Sequence, residues 1–188
     1  MANVDIIFEG YVGDRVAGTV SLVRDGDSVV VIDPGMVPDR SSILDPLASL
    51  GVEPDAVTDI VLSHHHPDHT MNIALFPNVK VHDHWATYQN DKWISRPAEG
   101  FVVSDDVTLI ETPGHTPQDI TTLVDTGDGV HAFTHLWWDG AIPGDPRATM
   151  PELLQPNRDR VLEVAAIIVP GHGAPFAASV APHVGDER

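Results

Sequence analysis

The feature that most constrains the fold is a histidine-rich turn, residues 64–69, which directly follows a mostly apolar stretch at residues 57–62. The stretch has the length and composition of a buried strand. Side chains on the loop after such a strand lie at the edge of a sheet, where functional sites are commonly built. The chain must therefore form a sheet that presents this turn at one edge.

Spacing within the turn predicts which side chains face the same volume. His64 and His66 are two residues apart, so an extended backbone projects them to one side and His65 to the other. A proline then turns the chain, which lets Asp68 and His69 face back toward His64 and His66. Imidazole suits zinc, and one carboxylate among imidazoles also accepts iron, manganese or cobalt. We predict a metal site here, with His65 outside it.

Two histidines that lie far apart in the chain are preceded by the same sequence pattern. His115 and His172 each follow a predicted strand and a Pro-Gly pair. Glycine lets the backbone turn sharply and approach a site closely. Because two separate loops repeat this pattern, we predict that both histidines complete the metal site begun at residues 64–69.

The order of predicted elements indicates the fold class. Apolar runs at residues 18–23 and 28–33, separated by turn-forming residues at 25–27, predict a hairpin, and helical spacing is present at residues 39–50. Later strands interleave with helices. This order predicts an α/β or α+β layered fold, and the length predicts one domain over residues 1–188.

Four later segments have weaker patterns. We expect a helix at residues 84–90, an irregular loop at 91–100, a long surface loop at 137–151 and a helix at 158–166. The third of these is rich in glycine, proline and aspartate, which is typical of a loop.

Some single residues outside the predicted site also carry expectations. Trp85, Tyr88 and Trp93 are predicted as core residues, and His82 as a surface residue. Asp33 is predicted to order the adjacent turn or to hydrogen-bond a ligand histidine, and not to act as a catalyst.

The motifs at residues 64–69, 113–116 and 170–173 together resemble those of the metallo-β-lactamase-fold hydrolases, and the resemblance runs from residues 31–35 through Phe176. It implies a four-layer αββα sandwich with metal held at one edge of the two sheets. Within the family, the chain most resembles the small single-domain members, which include a histone pre-mRNA nuclease.

The resemblance also implies how the ligands divide between two metal ions. One ion would be held by three histidines, and the second by a carboxylate and two histidines. The two sets are His64, His66 and His115 for the first ion, and Asp68, His69 and His172 for the second.

One departure from the family pattern concerns the number of ions. Members usually carry an aspartate that bridges two metals at the place where this chain has His135. A neutral imidazole is a poor bridge, so we predict that His135 ligates one ion or lies close to it. The site then holds one ion or two, and Asp139 remains an alternative ligand.

Charge restricts the partners. The chain has 28 acidic residues against 10 basic ones, a net charge of -18, and no cysteine. Such a balance disfavours a nucleic-acid partner without excluding it, and it fits either salt adaptation or a GC-rich coding sequence. Neither a membrane span nor a signal peptide is evident, so we expect a cytoplasmic protein, with a homodimer left open.

These observations favour a metallo-hydrolase. We expect Zn²⁺, one or two ions, with iron or manganese as alternatives, and a metal-bound hydroxide that attacks a small ester, thioester, lactone or amide. Asp68 would both ligate metal and hold the nucleophile. The alternatives are a phosphodiesterase or ribonuclease of the same fold, a mononuclear iron oxygenase, and a metal-binding protein without catalysis.

Overall fold

The computed structural model describes residues 1–185, and within them two sheets lie face to face. The first sheet has seven strands in the order β1-β4-β5-β6-β7-β8-β9. These strands are β1 (Asn3–Phe8), β4 (Val20–Asp25), β5 (Ser28–Ile32), β6 (Asp59–Val61), β7 (Lys80–His82), β8 (Ala86–Gln89) and β9 (Lys92–Ser95).

The second sheet has six strands, in chain order from β10 to β15. They are β10 (Phe101–Ser104), β11 (Val107–Glu111), β12 (Ile120–Thr126), β13 (Gly129–Thr134), β14 (Ile167–Pro170) and β15 (Phe176–Ala177). A small separate hairpin is formed by β2 (Tyr11–Val12) and β3 (Val16–Ala17).

Three α-helices complete the described part of the chain. They are α1 (Ser41–Ser49), α2 (Pro67–Thr70) and α3 (Pro151–Leu162). Short 3-10 turns lie at Pro54–Ala56, Ile73–Leu75 and Ala178–Val180. No helix within residues 1–185 combines the length and the apolar character needed to cross a bilayer.

Side chains of β5 point alternately into two of the three hydrophobic cores. Val30 and Ile32 belong to the core between the sheets, and Val31 belongs to the core under α1, which Ile43 and Leu47 complete. Successive residues of a strand point to opposite faces, so one apolar strand supplies both cores.

The second sheet repeats this arrangement with the third core. On β13 and β14, Phe133 and Val169 face the first sheet, and Ala132 and Ile168 face α3. Leu154 of α3 packs in that outer core. Each sheet thus has a helix on its outer face, which confirms the predicted αββα sandwich.

Two element predictions at residues 84–100 are wrong. The expected helix is strand β8, and the expected loop contains strand β9, with Tyr88 and Trp93 paired across the hairpin. Asn90 at its tip has a φ of 54°, a left-handed conformation that asparagine tolerates. The segment lacks an alternating pattern because β9 is exposed on both faces.

The last helix also begins earlier than the sequence predicts. The structure starts α3 at Pro151, within the predicted loop, and ends it at Leu162. Proline suits the first turn of a helix, but Pro156 lies inside this one and interrupts the pattern that marks a helix.

Candidate metal centre

The predicted site residues meet at one edge of the sandwich. His64 and His66 follow β6 of the first sheet, and His115, His135 and His172 follow β11, β13 and β14 of the second. These strands of the second sheet run in the same direction, since β12 is antiparallel to β11 and β13 while β14 is parallel to β13. Their carboxyl ends therefore deliver all three histidines to the same edge.

The first group of donors, named here the His66 half, comprises His64, His66 and His115. The Nδ1 atom of His66 lies 3.0 Å from Nε2 of His64 and 3.0 Å from Nε2 of His115. Nitrogen ligands of a tetrahedral zinc ion stand about 3.3 Å apart. The three nitrogens therefore have nearly the spacing that one small cation requires.

The second group, named the Asp68 half, comprises Asp68, His69 and His172. The Oδ2 atom of Asp68 lies 3.5 Å from Nε2 of His69 and 3.7 Å from Nε2 of His172. These three ligand atoms lie within 4.8 Å of one another, as do those of the His66 half. The two ligand sets implied by the family resemblance thus meet as two separate groups.

His135 lies between the two halves. Its Nε2 atom is 3.3 Å from Nε2 of His172, and its ring stacks on that of His115 with centroids 4.1 Å apart. A Cβ atom on Gly171 would lie 2.8 Å from this Nε2, so the absence of a side chain at residue 171 makes room for the imidazole. The structure places His135 beside both halves, and its role as a ligand stays a prediction.

Carboxylate and carbonyl oxygens fix the outer nitrogen of three histidines. Nδ1 of His69 lies 2.9 Å from Oδ2 of Asp33, and Nδ1 of His115 lies 2.7 Å from Oδ2 of Asp145. Nδ1 of His172 lies 2.8 Å from the carbonyl oxygen of Ala17. Since these oxygens only accept, each Nδ1 carries the proton and each Nε2 presents its lone pair to the cluster.

A serine hydroxyl likewise places the proton of His64 on Nδ1. Oγ of Ser63 donates to Oδ2 of Asp33 at 2.6 Å, so it accepts from Nδ1 of His64 at 3.0 Å. Asp33 therefore supports His64 in one half and His69 in the other, which agrees with its prediction as the partner of a ligand histidine. Its backbone has a φ of 52°, which aspartate tolerates.

The donor set fits a divalent cation. Nε2 of both His64 and His115 carries a lone pair, yet both approach Nδ1 of His66, which can donate at most one proton. Nε2 of His69 is buried and has no hydrogen-bond partner within residues 1–185. A cation between these nitrogens would satisfy lone pairs that hydrogen bonds leave unpaired.

The pKa values of the histidines in the cluster are shifted in opposite directions. Burial, reinforced by the neighbouring imidazoles, holds the pKa of His64 and His135 well below the usual value, and it also lowers the pKa of His66 and His172. Burial opposes the charge of His69 too, but Asp33 and then Asp68 outweigh it and raise the pKa of that imidazole. Neutral imidazole is the form that binds metal.

A cavity of about 410 Å³ opens above the cluster. Its apolar walls are Val12 and Val16 of the β2–β3 hairpin and Trp138, and Arg147 stands at its side. Arg147 also lines an adjoining surface hollow of about 630 Å³, which Arg15 borders. A small molecule can therefore reach the donors from this side.

Sequence reasoning missed some residues of the site. Asp145 and Arg147 lie in the loop after β13, which has no periodic pattern to mark them, and nothing in the sequence links Asp145 to His115. Of the tryptophans that follow His135, Trp138 lines the cavity and Trp137 packs in the core under α3.

Two other expectations about polar residues are wrong. His82 is buried and not on the surface, with Nε2 2.8 Å from Oδ1 of Asp59 and Nδ1 3.0 Å from Oγ1 of Thr87. Asp139 accepts the backbone N–H groups of Ala141 and Ile142 at 2.7 Å, so it shapes a turn and does not enter the cluster.

Comparison with known proteins identifies relatives over most of the chain. The family model described as the metallo-beta-lactamase superfamily matches residues 13–174. Metallo-beta-lactamase domain-containing protein 1 of Xenopus laevis is 30% identical over 189 residues, which cover 93% of this chain and 81% of the frog protein. The mouse protein of the same name is 31% identical, and the match covers 78% of this chain and 60% of the mouse protein.

Solved structures share the fold at lower identity. A putative metallo-beta-lactamase from Thermotoga maritima has a TM-score of 0.73 at 20% identity, with 94% of this chain and 99% of that one covered. An N-acyl homoserine lactone hydrolase with a product bound at its catalytic metal centre has a TM-score of 0.66 at 17% identity, with 91% and 92% covered. At such identities the likeness establishes the fold alone.

Proposed function

This chain belongs to the metallo-β-lactamase superfamily, and on that basis we propose that it is a metal-dependent hydrolase of a small ester, thioester, lactone or amide. The observation that carries the proposal is the meeting of two ligand groups under one open cavity. A small molecule is the partner that fits a cavity of about 410 Å³ in a strongly acidic chain.

Each half of the cluster would hold one cation. The His66 half would hold the first ion, and its three neutral nitrogens suit zinc, with iron or manganese as alternatives. The Asp68 half, with His135 beside it, would hold the second. A bound divalent cation lowers the pKa of water and polarises the oxygen of a carbonyl or phosphoryl group.

Asp68 is the proposed catalytic residue. Its carboxylate lies between the two histidines of its half and lines the cavity, so it faces the position that a substrate would take. There it can accept a hydrogen bond from the attacking water and orient it. Asp33 and the Ala17 carbonyl fix the rings of His69 and His172, whose Nε2 atoms lie 3.5 and 3.7 Å from this carboxylate.

The cavity walls indicate the polarity of the substrate. Arg147 at the cavity and Arg15 at its outer hollow form no ion pair with a carboxylate of residues 1–185, although Asp14 also lines that hollow. The apolar surfaces of Val12 and Trp138 line the same cavity, and the Arg147 guanidinium lies over the Trp138 ring, 5.7 Å from its centroid. We therefore propose a substrate with an apolar portion and an anionic group, a carboxylate or a phosphate.

A substrate panel tests the reaction class. The protein is loaded with zinc, its metal content is measured, and a lactone, a thioester, a β-lactam and a phosphodiester are offered with and without a chelator. We expect chelator-sensitive hydrolysis of the lactone or the thioester. Hydrolysis of the phosphodiester alone would favour the phosphodiesterase alternative. A parallel sample is loaded with iron, and oxygen-dependent turnover in that sample would favour the oxygenase. A loaded protein that turns over none of these substrates would contradict the proposal.

A matched pair of esters tests the anionic group. 4-Acetoxybenzoate and 4-acetoxybenzamide have the same shape and differ in charge, so the ratio of their kcat/KM values measures recognition of the anion. We expect Arg147→Gln to lower this ratio about fivefold, the size of an exposed charge pair. Lys92→Gln removes the same charge from β9 and should leave the ratio unchanged. Equal ratios in both variants would refute the role of Arg147.

A further inference from the structure

A second concave surface lies on the outer face of the first sheet, at the end where β9 forms the edge. Register places Val81, Tyr88 and Trp93 side by side across β7, β8 and β9. The same row begins with Val31 and Ile60, which are buried in the core that contains α1. At its other end Trp93 is 65% exposed.

Aromatic rings form the walls of this hollow, which has a volume of about 490 Å³. The rings of Tyr88 and Trp93 stand at 81° to each other with centroids 4.8 Å apart, so they present two perpendicular walls. Trp85, 46% exposed, is a third wall, held by its contact with the ring of His65 at 5.1 Å.

A buried carboxylate lies at the base of the hollow. Asp83 accepts hydrogen bonds from Nε2 of His65 at 3.0 Å and from the Tyr88 hydroxyl at 2.8 Å. It also accepts the backbone N–H groups of Trp85 and Ala86 at 2.8 and 2.9 Å. Burial opposes the charge of this carboxylate, but the four hydrogen bonds outweigh burial and lower its pKa, so it stays negative at neutral pH.

The lining of the hollow carries a negative charge. Asp83 is the fully charged side chain among its lining residues. Arg96 donates to the backbone oxygen of Asp83 at 2.8 Å and lies over the ring of Phe101, and it is not among the lining residues. The whole chain adds a net charge of -18. Electrostatics therefore favour a cationic occupant.

We propose that this aromatic hollow binds a small organic cation that bears a quaternary or fully methylated ammonium group. Aromatic faces attract such a cation through the negative face of the ring. Hydrogen bonds already occupy the Asp83 carboxylate, so a ligand with several N–H donors would find few free acceptors, while a quaternary ammonium needs none. The hollow is separate from the histidine cluster, and the proposal does not depend on hydrolysis.

Choline and its neutral isostere, 3,3-dimethyl-1-butanol, test the proposal directly. Each is titrated into the protein, with binding followed by calorimetry and by tryptophan fluorescence. We expect saturable binding of choline, about tenfold tighter than that of the neutral alcohol. Trp93→Leu should weaken choline binding about fivefold, and Trp85→Leu should do the same.

Ile94→Ala is the matched control, because Ile94 is the exposed neighbour of Trp93 on the opposite face of β9. It should leave choline affinity unchanged. Equal affinity for the alcohol, no saturation by about 10 mM choline, or equal weakening by Ile94→Ala would overturn the proposal. A dimer in light scattering that Trp93→Leu dissociates would also overturn it, since the hollow would then be an interface between copies.

Discussion

The two halves of the histidine cluster both contain imidazoles but differ in charge and in the groups that support them. The His66 half contains three imidazoles and no carboxylate, and its central member, His66, is exposed. The Asp68 half contains a carboxylate and the fully buried His69, whose outer nitrogen is bonded to Asp33. One half is thus a neutral, partly open set of donors, and the other is an anionic set anchored in the core.

This difference shows which half depends on which part of the fold. Asp145 supports the His66 half from a surface loop, through His115 alone. Asp33 supports the Asp68 half from the end of β5 and reaches the His66 half through Ser63 and His64. Asp33 therefore connects the two halves from behind, whereas His135 contacts both from within the cluster.

The largest expected effect comes from His66, which joins both contacts of its half. His66→Ala should abolish tight binding of the first ion and lower kcat/KM on the order of a thousandfold, because a catalytic cation contributes several kcal/mol. Metal analysis and steady-state kinetics measure both quantities. His131→Ala, on β13 away from the cluster, is the control. Full metal content in His66→Ala would show that the His66 half is not the first site.

The Asp33 and Asp145 carboxylates should differ in the number of bound ions that they support. Asp145→Asn should weaken binding of one ion by about tenfold to a hundredfold, and Asp33→Asn should weaken binding of both by a similar factor. Calorimetric titration with zinc measures this. Asp59→Asn removes a buried carboxylate from His82, outside the cluster, so it should lower stability and leave metal affinity unchanged. If the Asp33 and Asp145 variants weakened the binding of the same number of ions, the distinction between the halves would be removed.

His135 tests whether charge limits the second ion. His135→Asp adds a negative charge beside the Asp68 half and should raise affinity for the second ion about tenfold. Asparagine has a similar size to aspartate but no charge, so His135→Asn should not raise the affinity for the second ion. The number of ions per chain, measured at increasing zinc, distinguishes the two variants. If His135→Asp bound no more metal than the unmodified chain, residue 135 would not limit the number of ions.

The smallest expected effect concerns Gly171. Gly171→Ala should lower stability by at least about 1 kcal/mol, because the new methyl group would overlap the buried ring of His135. In a His135→Asp background the same substitution should cost less, since the ring is gone. Thermal unfolding of the four proteins measures this coupling. Additive effects would show that residues 135 and 171 do not contact each other.

Much of the fold and of the cluster could be predicted from sequence. Strand alternation and the strand–Pro-Gly–histidine pattern are local signals, and they brought His115 and His172 to the correct edge. The β8–β9 hairpin could not be predicted, because β9 has no buried face and is specified by its pairing with β8, as between Tyr88 and Trp93. The prediction that Trp85 and Trp93 lie in the core is also wrong, because both are exposed.

The sequence by itself determined that the histidines after β6, β11 and β14 gather at one edge of the sheets, because the two-residue period of a strand and the turns after it are local properties of the chain. Only the tertiary structure decided what stands behind and around those side chains. Asp145 meets His115 across 30 residues, Asp33 meets His69 across 36, and His135 meets His172 across 37. Such contacts depend on how the two sheets pack, and no spacing within one segment encodes them.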